Sequence, residues 1–239
     1  MTCRLRWCRV HILPRSLAHA AITCWQPAAH TSPRRLCLTG QRRFSAASPT
    51  EPPPVLWAPG RKATETQTDL LAGKVLTVCR STSGLCVIGA RGELPTARSM
   101  RALAKASDLG KSPLEFRVRW HEEANDQRSL RFYTEIRYSW KEFKRSWKHS
   151  GGEVRVLTVT PHTAVHKLAT AIVIEERTQS AVALKLNSLN DTVLATAAKA
   201  LATLPHLAQM ESRGADLVCV LRWPTSQEAL YLYAHIFDM

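Results

Sequence analysis

The sequence predicts an α/β fold of the two-layer α+β kind, made twice in tandem in the order β-α-β-α-β-β, behind a disordered presequence. Three observations predict it. Residues 152–239 alternate short β-branched runs with longer stretches whose apolar residues recur three and four positions apart. A fainter version of the same order lies upstream of residue 140. The first 50 residues hold eight Arg and no acidic residue, a composition that does not build a core.

Length and charge set the frame. With 239 residues the chain has room for two small domains of ordinary size. Its net charge of +14 and pI near 9.9 invite a nucleic-acid reading, so the charge has to be located. Residues 1–50 contribute +8; residues 51–152 carry 18 Lys and Arg against 11 acids; residues 153–239 carry 7 against 8. The basic excess of the folded part is therefore confined to its first half.

Taken in order, residues 1–44 read as a mitochondrial targeting presequence, with Arg42-Arg43-Phe44-Ser45 as a matrix-protease site cutting after Phe44. A basic tail that binds nucleic acid directly is the competing reading of the same residues. Apolar runs such as 20–25 are too short for a secretory signal, and no run is long enough to span a membrane. Residues 45–54, with Pro52-Pro53-Pro54, form a linker. Cys3, Cys8, Cys24 and Cys37 fall in the presequence, and Cys79, Cys86 and Cys219 sit among apolar neighbours as buried structural thiols.

The first domain, 55–139, begins with a short strand at Val55–Ala58. Thr66 to Asp69 supply capping side chains for a helix whose face is Leu71, Ala72, Val75, Leu76 and Cys79. A strand at Leu85–Ile88 and a helix opened by Leu94-Pro95 follow, with Asp108–Pro113 as loop. Leu114–Trp120 and Leu130–Tyr138 alternate apolar with charged residues and make a hairpin across His121–Arg128. Residues 140–152 form an amphipathic basic connector, with Trp140, Phe143 and Trp147 on one side and Lys141, Lys144, Arg145 and Lys148 on the other.

The second domain, 153–239, repeats the order: strand Val154–Val159, helix Ala164–Arg177 with Thr163 as cap, strand Ala181–Leu186, helix Thr192–Leu204 capped by Asn190-Asp191, then a hairpin of Asp216–Trp223 and Leu230–Phe237. The halves align without a gap from Leu71-Ala72 with Leu168-Ala169 to Leu85 with Val182. Small shifts then match Arg101-Ala-Leu-Ala with Lys199-Ala-Leu-Ala, Val118-Arg-Trp with Leu221-Arg-Trp, and Leu130–Ile136 with Leu230–Ile236. A period this long implies a tandem domain and not a solenoid.

Three strings carry a resemblance: Val-Thr-Pro-His-Thr-Ala-Val-His-Lys-Leu-Ala at 159–169, the Ala-rich helix with Lys199-Ala-Leu-Ala, and Gly-Ala-Asp-Leu-Val-Cys-Val at 214–220. With the element order they resemble the Alba superfamily, in the branch typified by the bacterial stage V sporulation protein S. Ala90-Arg91-Gly92 is similar to the Ala-Arg-Gly string that follows the second strand in Alba proteins. The resemblance implies a two-layer domain, pairing of domains into an intramolecular pseudo-dimer, and DNA or RNA binding. Two departures stand against the archaeal pattern. Neither hairpin tip is a long basic arm, and the second copy offers His162 and Asn187-Ser188 where basic residues are expected.

No G-x-S-x-G, P-loop or G-x-G-x-x-G occurs, so the chain is expected to be non-enzymatic, with no cofactor. His162 and His166 have the four-residue spacing of a metal pair, yet no third ligand accompanies them; solvated histidines are the expectation. Glu122-Glu123 and Glu175-Glu176 read as solvated charges. The expected nucleic-acid contacts are Arg61, Lys62, Arg91, Arg98 and Arg101 near strand-to-helix turns, then Lys141, Lys144, Arg145 and Lys148 interleaved with Trp140 and Trp147. Docking of the connector's aromatics onto a domain competes with base stacking. The expectation is a matrix RNA-binding protein of a ribonucleoprotein, such as the mitochondrial ribosome or an RNA-processing complex, holding RNA by its first domain and connector and partner proteins by its second. A protein-interaction scaffold without nucleic-acid contact is the alternative.

Overall fold

Period-two alternation and helical apolar faces give twelve elements among the described residues of the computed structural model, which are 53, 55–60, 64–81, 84–123, 127–136, 139, 141, 143, 154–177, 182–207, 215–222 and 229–238. The first half comprises β1 (Val55–Trp57), α1 (Glu65–Arg80), β2 (Leu85–Ala90), α2 (Glu93–Gly110), β3 (Leu114–Glu122) and β4 (Arg128–Ile136). The second comprises β5 (Arg155–Thr158), α3 (Val165–Arg177), β6 (Val182–Asn187), α4 (Asp191–Leu207), β7 (Ala215–Arg222) and β8 (Ala229–Asp238). The presequence, most of the linker and connector, and the 224–228 tip lie outside the described residues.

All eight strands form one mixed sheet in the order β1-β2-β4-β3-β7-β8-β6-β5. Pairing is parallel at the two outer positions, β1 with β2 and β5 with β6, and antiparallel elsewhere. The halves meet at β3 and β7, in register at Glu115 with Val220 and Phe116 with Cys219. When the Arg-Trp endings are aligned, Phe116 and Cys219 are equivalent positions, and they pair at the middle of the strand order. The fold is thus α+β, with a shared sheet instead of two separate ones.

The helices cover one face of this sheet. On that side β4 turns Leu130, Phe132 and Thr134 inward and β8 turns Leu230, Leu232 and Ala234, beneath α2 and α4. Small residues let these two central helices approach closely: Ala102, Leu103, Ala104 and Ala106 on α2, and Ala197, Ala198, Ala200 and Leu201 on α4 are all buried. Arg101 ties the same helices together, donating from Nε to the Ser188 carbonyl at 2.8 Å and pairing with Asp191 Oδ1 at 2.6 Å. Thr192 donates its hydroxyl to Glu93 Oε1 at 2.5 Å.

Several boundaries differ from the sequence expectation, each for a local reason. The first helix starts at Glu65, so Thr66–Asp69 lie inside it, and its N-cap Thr64 makes no side-chain cap. Helix α2 runs on through Asp108–Gly110 because Lys111 ends it in the left-handed region, φ 52 and ψ 24. The first hairpin extends to Glu122 and Arg128, whose side chains pair across the strands at 3.6 Å. Thr163 closes a turn by accepting the Thr160 N–H at 2.9 Å, whereas Asn190 caps α4 as expected, accepting the Val193 N–H at 3.1 Å. The gap-free alignment of Leu85 with Val182 is one residue out. Cys86, Ile88 and Ala90 face the core in β2, as Val182, Leu184 and Leu186 do in β6, and a one-residue slip would reverse the faces. Cys79, Cys86 and Cys219 are buried free thiols, as expected.

Candidate nucleic-acid interface

The face of the sheet away from the helices carries Trp57, Tyr133 and the charged residues that alternate with the core side chains of β3 and β4, whereas Phe116 and Phe132 lie on the helix side. In β1, Leu56 packs on the core, which turns Trp57 to the other side, where it remains 46% exposed. Its parallel partner is Gly89. A Cβ at Gly89 would lie 2.9 Å from Trp57 Cε3 and Cζ3, so the indole rests on the glycine backbone. Next across the sheet come Arg131 of β4, paired with Gly89, and Arg119 of β3, paired with Arg131. Tyr133 and Arg117 form the neighbouring row.

Two guanidiniums stack against the Trp57 ring, Arg91 at 4.5 Å and Arg131 at 4.8 Å from its centroid. One carboxylate positions both: Glu123 pairs with Arg131 at 2.5 Å and with Arg91 at 3.2 Å, and accepts the Ser129 hydroxyl at 2.7 Å. The hydrogen bonds from Ser129 and Arg131, with further help from Arg91, pull the Glu123 carboxyl down to about 2. Glu123 is therefore no solvated hairpin charge; its side chain is 13% exposed. Trp57, Ser129 and Arg131 were not among the expected contacts. The glycine inside the apolar run of β2 is the signal in the sequence that another group approaches the strand closely there.

The expected contact residues separate into three groups. Arg91 is half-exposed beside Trp57, and Lys141 is exposed. Arg98 and Arg101 instead face inward. Arg98, only 8% exposed, donates to the Pro59 carbonyl at 3.1 Å and to the Gly60 carbonyl, bracing the bend before residues 61–63. Arg101 joins the two halves as described above. Arg61, Lys62, Trp140, Lys144, Arg145, Trp147 and Lys148 lie outside the described residues.

In the connector, Phe143 meets Tyr233 of β8 edge-on, with centroids 5.9 Å apart. Tyr233 lies on the open face, since Leu232 and Ala234 point to the core. One connector aromatic thus docks on the second half, in line with the docking alternative. Pairing register makes Thr158, Lys185, Tyr231 and Arg222 the second half's counterparts of Trp57, Gly89, Arg131 and Arg119. A lysine there replaces the glycine on which an indole can lie. His162 and His166 are both exposed, and among the described residues no group of three His, Cys, Asp or Glu side chains could hold a metal. No helix of the described residues is long and apolar enough to cross a membrane. No protein family, characterised protein or solved structure matches the chain.

Proposed function

We propose that the chain is a non-enzymatic RNA-binding protein of the mitochondrial matrix, a subunit of a ribonucleoprotein such as the mitochondrial ribosome or an RNA-processing complex. On this reading its two Alba-like halves act as an intramolecular pseudo-dimer. The first half and the connector meet phosphates and unpaired bases, and the second half meets protein.

The observation that carries the reading is unequal charge on two copies of one element order within one sheet. Residues 51–152 hold 18 basic against 11 acidic side chains, and residues 153–239 hold 7 against 8. Phosphate contacts release counterions, so binding of single-stranded RNA should weaken with salt by a logarithmic slope of about −0.7 per contact. Reversing charge at Lys141, Lys144, Arg145 and Lys148 together should lower affinity and flatten that slope; an unchanged slope would remove the connector from the site. Import into isolated mitochondria followed by N-terminal sequencing tests the compartment, with Ser45 expected as the new first residue.

One observation favours the scaffold reading. Two of the expected contacts, Arg98 and Arg101, serve carbonyl groups and a carboxylate inside the fold. Salt-insensitive RNA binding, together with protein partners lost on altering the second half, would select it.

A further inference from the structure

We infer that the open face of the first half is a stacking platform for a short run of unpaired RNA, with Trp57 and Tyr133 as the rings and Arg91 as the phosphate contact. This deepens the RNA reading and rests on it. Trp57 is a large aromatic left 46% exposed, yet it is held flat by the bare backbone of Gly89 and by Arg131. A ring fixed in this way loses little freedom when a base covers the part of it left exposed. Tyr133 stands two residues along β4 from Arg131 and two strands from β1, so the Cα atoms of Trp57 and Tyr133 lie about 12 Å apart. Bases on the two rings then belong to different nucleotides of one strand.

Charge selects the occupant. Around Trp57, Arg91, Arg119 and Arg131 are placed with the carboxylate of Glu123, and Glu115 and Glu135 stand on the same face one row beyond Tyr133 and Arg117. The two ion pairs of Glu123 are unequal. Arg131 is held at 2.5 Å with its side chain 10% exposed, while Arg91 is held at 3.2 Å and is 50% exposed. Arg91 is the group that can exchange carboxylate for phosphate while Arg131 keeps the indole in place. A duplex offers no free base faces, so the platform distinguishes single from double strands. In the second half the chain's own Phe143 meets Tyr233, the counterpart of Tyr133.

The test is fluorescence anisotropy of the full chain with a labelled oligouridine and with an RNA duplex of equal length. Trp57→Ala is expected to weaken oligouridine binding about tenfold, as loss of one stacked base does, and to leave duplex binding unchanged. Trp57→Phe keeps a ring and should stay within about twofold of the parent. Oligouridine binding unaffected by Trp57→Ala overturns the platform, as does equal loss of single-strand and duplex binding, or a Trp57→Phe protein as weak as Trp57→Ala. Affinity lost only on reversing Lys141, Lys144, Arg145 and Lys148 overturns the platform and keeps the RNA reading. A parent chain that binds neither RNA overturns both.

Discussion

Glu123 shows what a single carboxylate does when the sheet brings three donors to it. Its carboxyl titrates at about 2 in the folded chain, against an ordinary value of 4.5. Because the folded value is the lower one, its stabilisation is complete above pH 4.5 and disappears as the pH falls toward 2. Glu123→Gln should therefore lower the urea midpoint at neutral pH, and the gap from the parent should close across that acid window. At Gly89 the issue is space. A methyl group placed 2.9 Å from the Trp57 ring must displace the indole, so Gly89→Ala should cost about 1–3 kcal/mol in urea unfolding. In a Trp57→Ala background most of that cost should vanish, since the two residues then no longer collide. The glycine in β2 signalled a close approach, but the role of Glu123 was not legible residue by residue. Glu123 sits in a polar hairpin string; Ser129 and Arg131 reach it across the β3–β4 hairpin, and Arg91 only through pairing of β2 with β4.

At the scale of elements, local pattern carried far. Alternation in β3 and β4, and the apolar faces of α1 and α4, were readable because each is set by neighbours within one element. Contacts between elements were not. Arg101 looked like a surface base on a helix, but its side chain is only 12% exposed and fastens α2 to the start of α4. Arg101→Ala should cost about 2 kcal/mol, the scale of a buried hydrogen bond to a charged group. Combined with Asp191→Ala the loss should be less than additive, because both variants break one link. Arg98 misled for the same reason: nothing in the order of residues says that the carbonyls of Pro59 and Gly60 come within reach of α2.

The described residues from Val55 onward are held by two continuous layers, with the sheet crossing from one half to the other at β3 and β7 and the helix layer at α2 and α4. Unfolding should therefore be a single transition. Four of the five tryptophans beyond the presequence, Trp57, Trp120, Trp140 and Trp147, precede the second half, while helix and strand come from both. Fluorescence and far-ultraviolet circular dichroism curves should superimpose in urea; a second half that persists after the fluorescence change would show independent halves. The matching Arg-Trp endings were visible in the sequence, but the edge along which the two halves join was not, because Phe116 and Cys219 look like ordinary core residues of separate strands.

That junction has a consequence for how the two copies can change. In a dimer of identical chains, a residue on the symmetry axis always faces itself, so any change in its size is felt twice at the same spot. Here the central pair is Phe116 against Cys219, a large side chain beside a small one. Two identical chains could not hold such an unequal pair at their centre, whereas one chain that supplies both strands can. One chain also keeps its two halves permanently at hand to each other, independent of concentration. The halves can then differ, one carrying arginine and an exposed indole while the other stays neutral.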